Sequence, residues 1–294
     1  MNSSTATTVF LPIALVVIML GLGLSLTVAD FTRVARYPRA TVIALGCQIL
    51  VLPALCLGLV LLFDLDPALA VGMMLLAASP GGTTANLFSH LARGDVALNI
   101  TLTAINSILA VVTLPIVVNL ALDGFMDGED AIGLQPDKML QVFAIVLVPV
   151  AIGMLIRRRA PEFAARLNQP VRIASIVVLV SVIAVAVFQE RGNVIDYVQS
   201  VGIVALIFCL ASLTVGYYVP RAFQVPRGQA VASSFEIGIH NSTLAITIAL
   251  SPALLDSAEM AIPAAVYGVL MFLPGGVLAY VMNKRRETPA EIGT

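Results

Sequence analysis

The chain has 294 residues, of which 59% are hydrophobic and 11% charged, and its mean hydropathy is +1.00. A soluble globular domain is nearer half apolar and a quarter charged, so this balance excludes one and points to an integral membrane protein. The formal net charge of −1 leaves no basic surplus for a nucleic-acid partner, and the partners expected are the lipid bilayer and a small molecule.

A helix needs about 20 mostly apolar residues to cross a bilayer. Nine segments qualify in chain order, at about 8–29, 40–63, 67–91, 96–122, 138–156, 172–189, 195–218, 229–250 and 259–282. The first lacks the basic start of a secretory signal, because no Lys or Arg precedes Arg33. The fold class expected is an all-α polytopic membrane protein. Between these spans, all of the 16 basic residues except Lys138 and Arg191 fall on one side. The positive-inside rule makes that side cytoplasmic, which puts the N-terminus outside and the C-terminus inside. The acidic stretch 123–137 is then external.

The third span carries ASPGGTTAN, residues 78–86. Pro80 removes a backbone donor and Gly81–Gly82 resist helix, so the helix should break there and restart, with Thr83 or Thr84 as a cap. The eighth span carries FEIGIHNST, residues 235–243, with its weak point at Gly238 and Asn241 or Ser242 as possible caps. Each broken span is the middle one of a trio, spans two to four and seven to nine, and the two trios run in opposite senses. Broken helices at matching places in inverted halves point to a transporter's midplane site. Carbonyls freed at the end of each first half-helix suit a small hard cation. N–H groups freed at the start of each second half-helix, near Thr83, Thr84, Asn241 and Ser242, suit an anion.

Polar residues gather around these breaks. Gln48 lies in span two, Asn86 in span three, and Asn99 and Thr103 four apart in span four. Glu236 and His240 lie in span eight. Glu236 is the single carboxylate placed deep in a span, where an unpaired charge is costly and marks a functional site. Oxygen ligands without thiolates suit Na⁺ or H⁺ rather than a transition metal. The cysteines Cys47, Cys56 and Cys209 lie in apolar runs without metal or disulfide spacing. There is no H-E-x-x-H and no glycine-rich nucleotide loop, so neither a zinc enzyme nor an ATP-driven pump is supported. His90 is expected at a cytoplasmic helix end, and R-G-D at 93–95 reads as a turn.

SPGGTTANLFSHLARGDVALNITLT (79–103) and SFEIGIHNSTLA (234–245) resemble the two signature regions of the bile acid:sodium symporter family. The resemblance covers essentially the whole chain. It implies a panel domain (8–29 and 138–190), a core domain (40–122 and 195–282) and a cytoplasmic tail (283–294), with two discontinuous helices crossing in the core. It implies one sodium site at Asn86, Thr103 and Glu236 with the positions of Ala85 and Asn99. It implies a second at Gln48, Glu236, His240 and the backbone carbonyls of Ile237 and Ile239. Some well-known members of that family carry serine at the positions of Ala85 and Asn99 and glutamine at that of His240; imidazole offers nitrogen, a poor ligand for Na⁺. The implied function is secondary active transport, coupling sodium influx to uptake of a bile-acid-like or smaller organic anion by alternating access, in a bacterial cell membrane. Two alternatives stand beside it. One is a proton-coupled symporter using Glu236 and His240. The other is a metalloid or anion exporter, or a passive channel, of a related type, for which Cys47 beside Gln48 is the available thiol.

Overall fold

A computed structural model of the chain describes residues 16–17, 19–21, 23–126, 136–167, 169–171, 173–174, 177, 194–251 and 254–284. Residues 8–15, 18 and 22 of the expected first span (8–29), and most of the expected sixth (172–189), lie outside these. The helices that follow are α1 (Pro38–Leu62), α2 (Pro67–Ala78), α3 (Thr83–Leu91), α4 (Val96–Phe125), α5 (Pro136–Arg159), α6 (Val194–Ala222), α7 (Arg227–Gly238), α8 (Ser242–Leu250), α9 (Ala258–Leu270) and α10 (Phe272–Lys284). Among the described residues four stretches, Pro38–Leu62, Val96–Phe125, Gln199–Ala222 and Ala258–Lys284, are long and apolar enough to cross a membrane. The protein is an all-α polytopic membrane protein.

Both expected breaks are present, and the halves match. α2 and α7 each have 12 residues, α3 and α8 each have 9. The R-G-D segment is the turn expected of it. Arg93 takes a left-handed φ of 57° and the Gly94 N–H bonds the Ser89 carbonyl, while Asp95 caps α4 by accepting from the Leu98 N–H at 3.0 Å. His90 is exposed in the last turn of α3.

Two local features follow from prolines. Pro53 has no N–H to offer the carbonyl of Ile49, and α1 widens just before it into a π-turn, Cys47–Val51, in which the Leu52 N–H bonds the Cys47 carbonyl. This turn carries Gln48. Pro274 likewise cannot bond the carbonyl of Leu270, and there the expected single span 259–282 divides into α9 and α10.

Packing sets which faces meet. α7 packs on α6, α4 and α3, and α2 on α9 and α4, so each first half-helix lies against the long helix that follows the other break. Small residues allow the approach: a side chain at Gly72 would strike the Met260 backbone, and one at Gly216 the Ser234 backbone. On α4 the division of faces is plain. Ile108, Val112, Ile116 and Leu120, four apart, are exposed and apolar, as a lipid-facing stripe requires, while Asn99, Thr103 and Asn106 are buried against α7.

Candidate functional site at the crossing of the broken helices

The two breaks meet each other. Ser79–Gly82 and Ile239–Asn241 run antiparallel, paired at Gly81 and His240. The Gly82 N–H bonds the Ile239 carbonyl at 2.9 Å, and the Asn241 N–H bonds the Pro80 carbonyl at 2.8 Å. Non-helical backbone at membrane depth must find partners within the protein, and here each break supplies them to the other.

Glu236, in the last turn of α7, is 2% exposed. Its Oε2 accepts from Thr103 Oγ1 at 2.5 Å, and the same hydroxyl reaches the Asn99 carbonyl at 3.0 Å. Its Oε1 has no hydrogen-bond partner. Among the described residues no Lys, Arg or His makes an ion pair with it. Gly81 explains the tight fit around this group: a Cβ on Gly81 would fall within the Glu236 carboxyl. A glycine is needed there for space.

Two further buried oxygens lack partners, Asn86 Oδ1 on α3 and Asn99 Oδ1 on α4. The second orientation has a cause. Asn99 Nδ2 donates to the Ala232 carbonyl of α7 at 2.7 Å, which turns Oδ1 the other way. Each of these three oxygens, one carboxylate and two amide, is buried without a partner, and each is of the kind a hard cation takes. Ala85, 0% exposed, contributes no side-chain oxygen. Among the described residues no group of three His, Cys, Asp or Glu is placed to hold a metal ion, and Cys47, Cys56 and Cys209 are free and buried.

The residues on the other side of the crossing are arranged differently. Gln48 Nε2 donates to the carbonyls of Ala77 (3.2 Å) and Ser79 (3.0 Å). His240 Nδ1 lies 3.1 Å from the same Ser79 carbonyl, and since a carbonyl cannot donate, Nδ1 carries the hydrogen. The His240 ring stacks on Phe208 (centroids 5.4 Å) and meets the edge of Tyr267 (5.5 Å). Tyr267 Oη donates to the Gly238 carbonyl at 2.8 Å. Ile237 and Ile239 are both fully buried.

The starts of the second half-helices also differ from each other. α3 begins after Gly82 (φ −91°, ψ 165°) with no side-chain cap, so Thr83 and Thr84 are its first two residues and not its cap. The described structure does not include the Thr83 side chain. α8 is capped by Asn241, whose Oδ1 accepts from the Leu244 N–H at 3.1 Å; the Ser242 hydroxyl is buried and unpartnered. Sequence reasoning did not single out Tyr267, Phe208 or Asn106. A tyrosine inside an apolar span was the available signal, because its hydroxyl needs a partner there. Asn106 lies three residues beyond Thr103 on the same buried face, with its side chain beside the Glu236 carboxyl.

Comparison with known proteins bears on this crossing. A family profile described as the sodium bile acid symporter family matches residues 12–197. The chain is 25% identical over 277 residues to an uncharacterised sodium-dependent transporter of Bacillus subtilis, covering 94% of this chain and 84% of that one. It is 29% identical to a probable chloroplastic sodium/metabolite cotransporter of rice, over 93% of this chain and 63% of the relative. It is 26% identical to the hepatic sodium/bile acid cotransporter of the rat, over 92% and 72%. These are transporters by name, not enzymes, and the chain belongs to the sodium bile acid symporter family.

Proposed function

We propose that this protein couples entry of Na⁺ to uptake of a small organic anion by alternating access. The observation that carries the reading is the set of buried, unpartnered oxygens, Glu236 Oε1, Asn86 Oδ1 and Asn99 Oδ1, beside the crossing of two broken helices. Glu236 supplies the charge, and Thr103 holds its other oxygen in place. The anion takes the starts of α3 and α8, near Thr83, Thr84, Asn241 and Ser242, where helix N-termini favour negative charge. Sodium at Glu236 offsets the carboxylate that would otherwise repel the anion, and this is the physical basis of the coupling. The core (40–122 and 195–282) moves against the panel (8–29 and 138–190) to expose the crossing alternately. The location that fits is a bacterial cell membrane with the 283–294 tail cytoplasmic. The relative named for bile acids supports a carboxylate as the anion class.

Purified protein tests this in two steps. Sodium, but not potassium or choline at equal ionic strength, should raise the melting temperature of the wild type and not that of Glu236→Gln. In proteoliposomes an inward sodium gradient should drive uptake of at least one member of a carboxylate panel. A proton gradient alone that drives the same uptake without sodium overturns the reading.

A further inference from the structure

We infer that the crossing holds one sodium ion, because His240 closes its second side. The inference rests on the reading of Glu236 as the sodium carboxylate. It starts from the contrast between the two sides of the crossing. On the Glu236 side, oxygens are left over. On the Gln48 side, the carbonyls of Ala77, Ser79, Gly238 and Ile239 already accept hydrogen bonds.

The Ser79 carbonyl has two lone pairs and receives two N–H groups, from Gln48 at 3.0 Å and His240 at 3.1 Å. The Ala77 carbonyl accepts from Gln48, the Gly238 carbonyl from Tyr267, and the Ile239 carbonyl from the Gly82 N–H. These four carbonyls, at the ends of α2 and α7, therefore already accept hydrogen bonds before any ion arrives. The side-chain atoms left unpartnered there are Gln48 Oε1 and His240 Nε2. One is an oxygen, the other a nitrogen, and a hard cation takes oxygen.

Nor does the ring have freedom to withdraw. It is 1% exposed, stacked on Phe208 and flanked by Tyr267, and its Nδ1–H is spent on Ser79. An amide in its place would do both jobs. Its N–H₂ would take over the bond to Ser79, and its oxygen would remain for a cation. The imidazole performs the first task and leaves the second undone. This makes residue 240 the position that sets how many cations the crossing binds.

The test needs no substrate. Equilibrium binding of ²²Na⁺ to purified, monodisperse protein should saturate at one ion per chain in the wild type, at two in His240→Gln, and show none in Glu236→Gln. Two ions in the wild type overturn the inference, as does a folded His240→Gln that still binds one. Should His240→Gln not give a monodisperse protein, the wild-type count decides alone: one sustains the inference and two sinks it. Wild type that binds no sodium refutes instead the assignment of Glu236, a different failure with a different signature.

Discussion

Replacing Gly81 with alanine tests the site at its most crowded point. A Cβ there would occupy the space of the Glu236 carboxyl group. Restoring an ordinary carbon–oxygen contact of about 3.5 Å requires the carboxyl to retreat by about 1 Å. If sodium sits about 2.4 Å from Oε1, as hard cations do from carboxylates, the contact lengthens to about 3.4 Å. With an effective dielectric of about 20, the attraction falls from about 7 to about 5 kcal/mol. The loss of about 2 kcal/mol corresponds to roughly 30-fold weaker sodium binding. Overpacking adds a separate cost of about 1–3 kcal/mol to folding, independent of sodium. The neighbouring glycine is the control. A Cβ on Gly82 meets the His240 carbonyl and Thr84 Oγ1 at 3.5 Å, ordinary contact distances. Gly82→Ala should therefore keep sodium affinity within about threefold of wild type. Sodium-dependent thermal shift, titrated in both variants and fitted for apparent affinity, reads the difference. Wild-type sodium affinity in a monodisperse Gly81→Ala protein would refute the placement of the ion beside Glu236.

Two other substitutions separate the roles proposed around the crossing. Thr84→Phe adds bulk at the start of α3, and Asn241→Asp keeps the cap on the Leu244 N–H while adding a negative charge. Both should lose anion-dependent uptake and retain folding, and uptake retained in both would move the anion site elsewhere. Tyr267→Phe leaves the Gly238 carbonyl without its strong donor, which should cost about 1–3 kcal/mol of stability with the sodium count unchanged; a lost sodium response would make Tyr267 part of the cation site.

The breaks were legible from residue types. Pro80 with Gly81–Gly82 cannot continue a helix, and Gly238 with the polar His240–Asn241 marks the second interruption. The carboxylate was legible because Glu236 is conspicuous within an apolar run. What the breaks do to each other was not legible. The Gly82–Ile239 and Asn241–Pro80 bonds join residues far apart in sequence, and no local pattern encodes such pairing. The capping of α3 was misjudged for a related reason. A threonine is a good cap in isolation, but Gly82 takes the cap position because its N–H is held across the crossing. Gln48 was placed near the site from its polarity, while the π-turn that carries it depends on Pro53 five residues on. The environment of His240 could not be read at all, since Phe208 and Tyr267 come from α6 and α9.

The pairing of the two breaks also limits how the protein can deform. Pulling α2–α3 away from α7–α8 would strand two N–H and two C=O groups in hydrocarbon, at several kcal/mol for each unpaired group. On the alternating-access reading proposed above, four half-helices tied at one buried point would behave as a single lever, and displacement would fall on the smooth helix faces around it. Hinge bending at the glycines, the obvious guess from their sequence, is the motion this geometry resists. Hydrogen exchange carries the signature. The amide protons of Gly82 and Asn241 should outlast many turnovers and exchange only when the whole lever comes apart, and rapid exchange during transport would mean that the breaks open with each cycle.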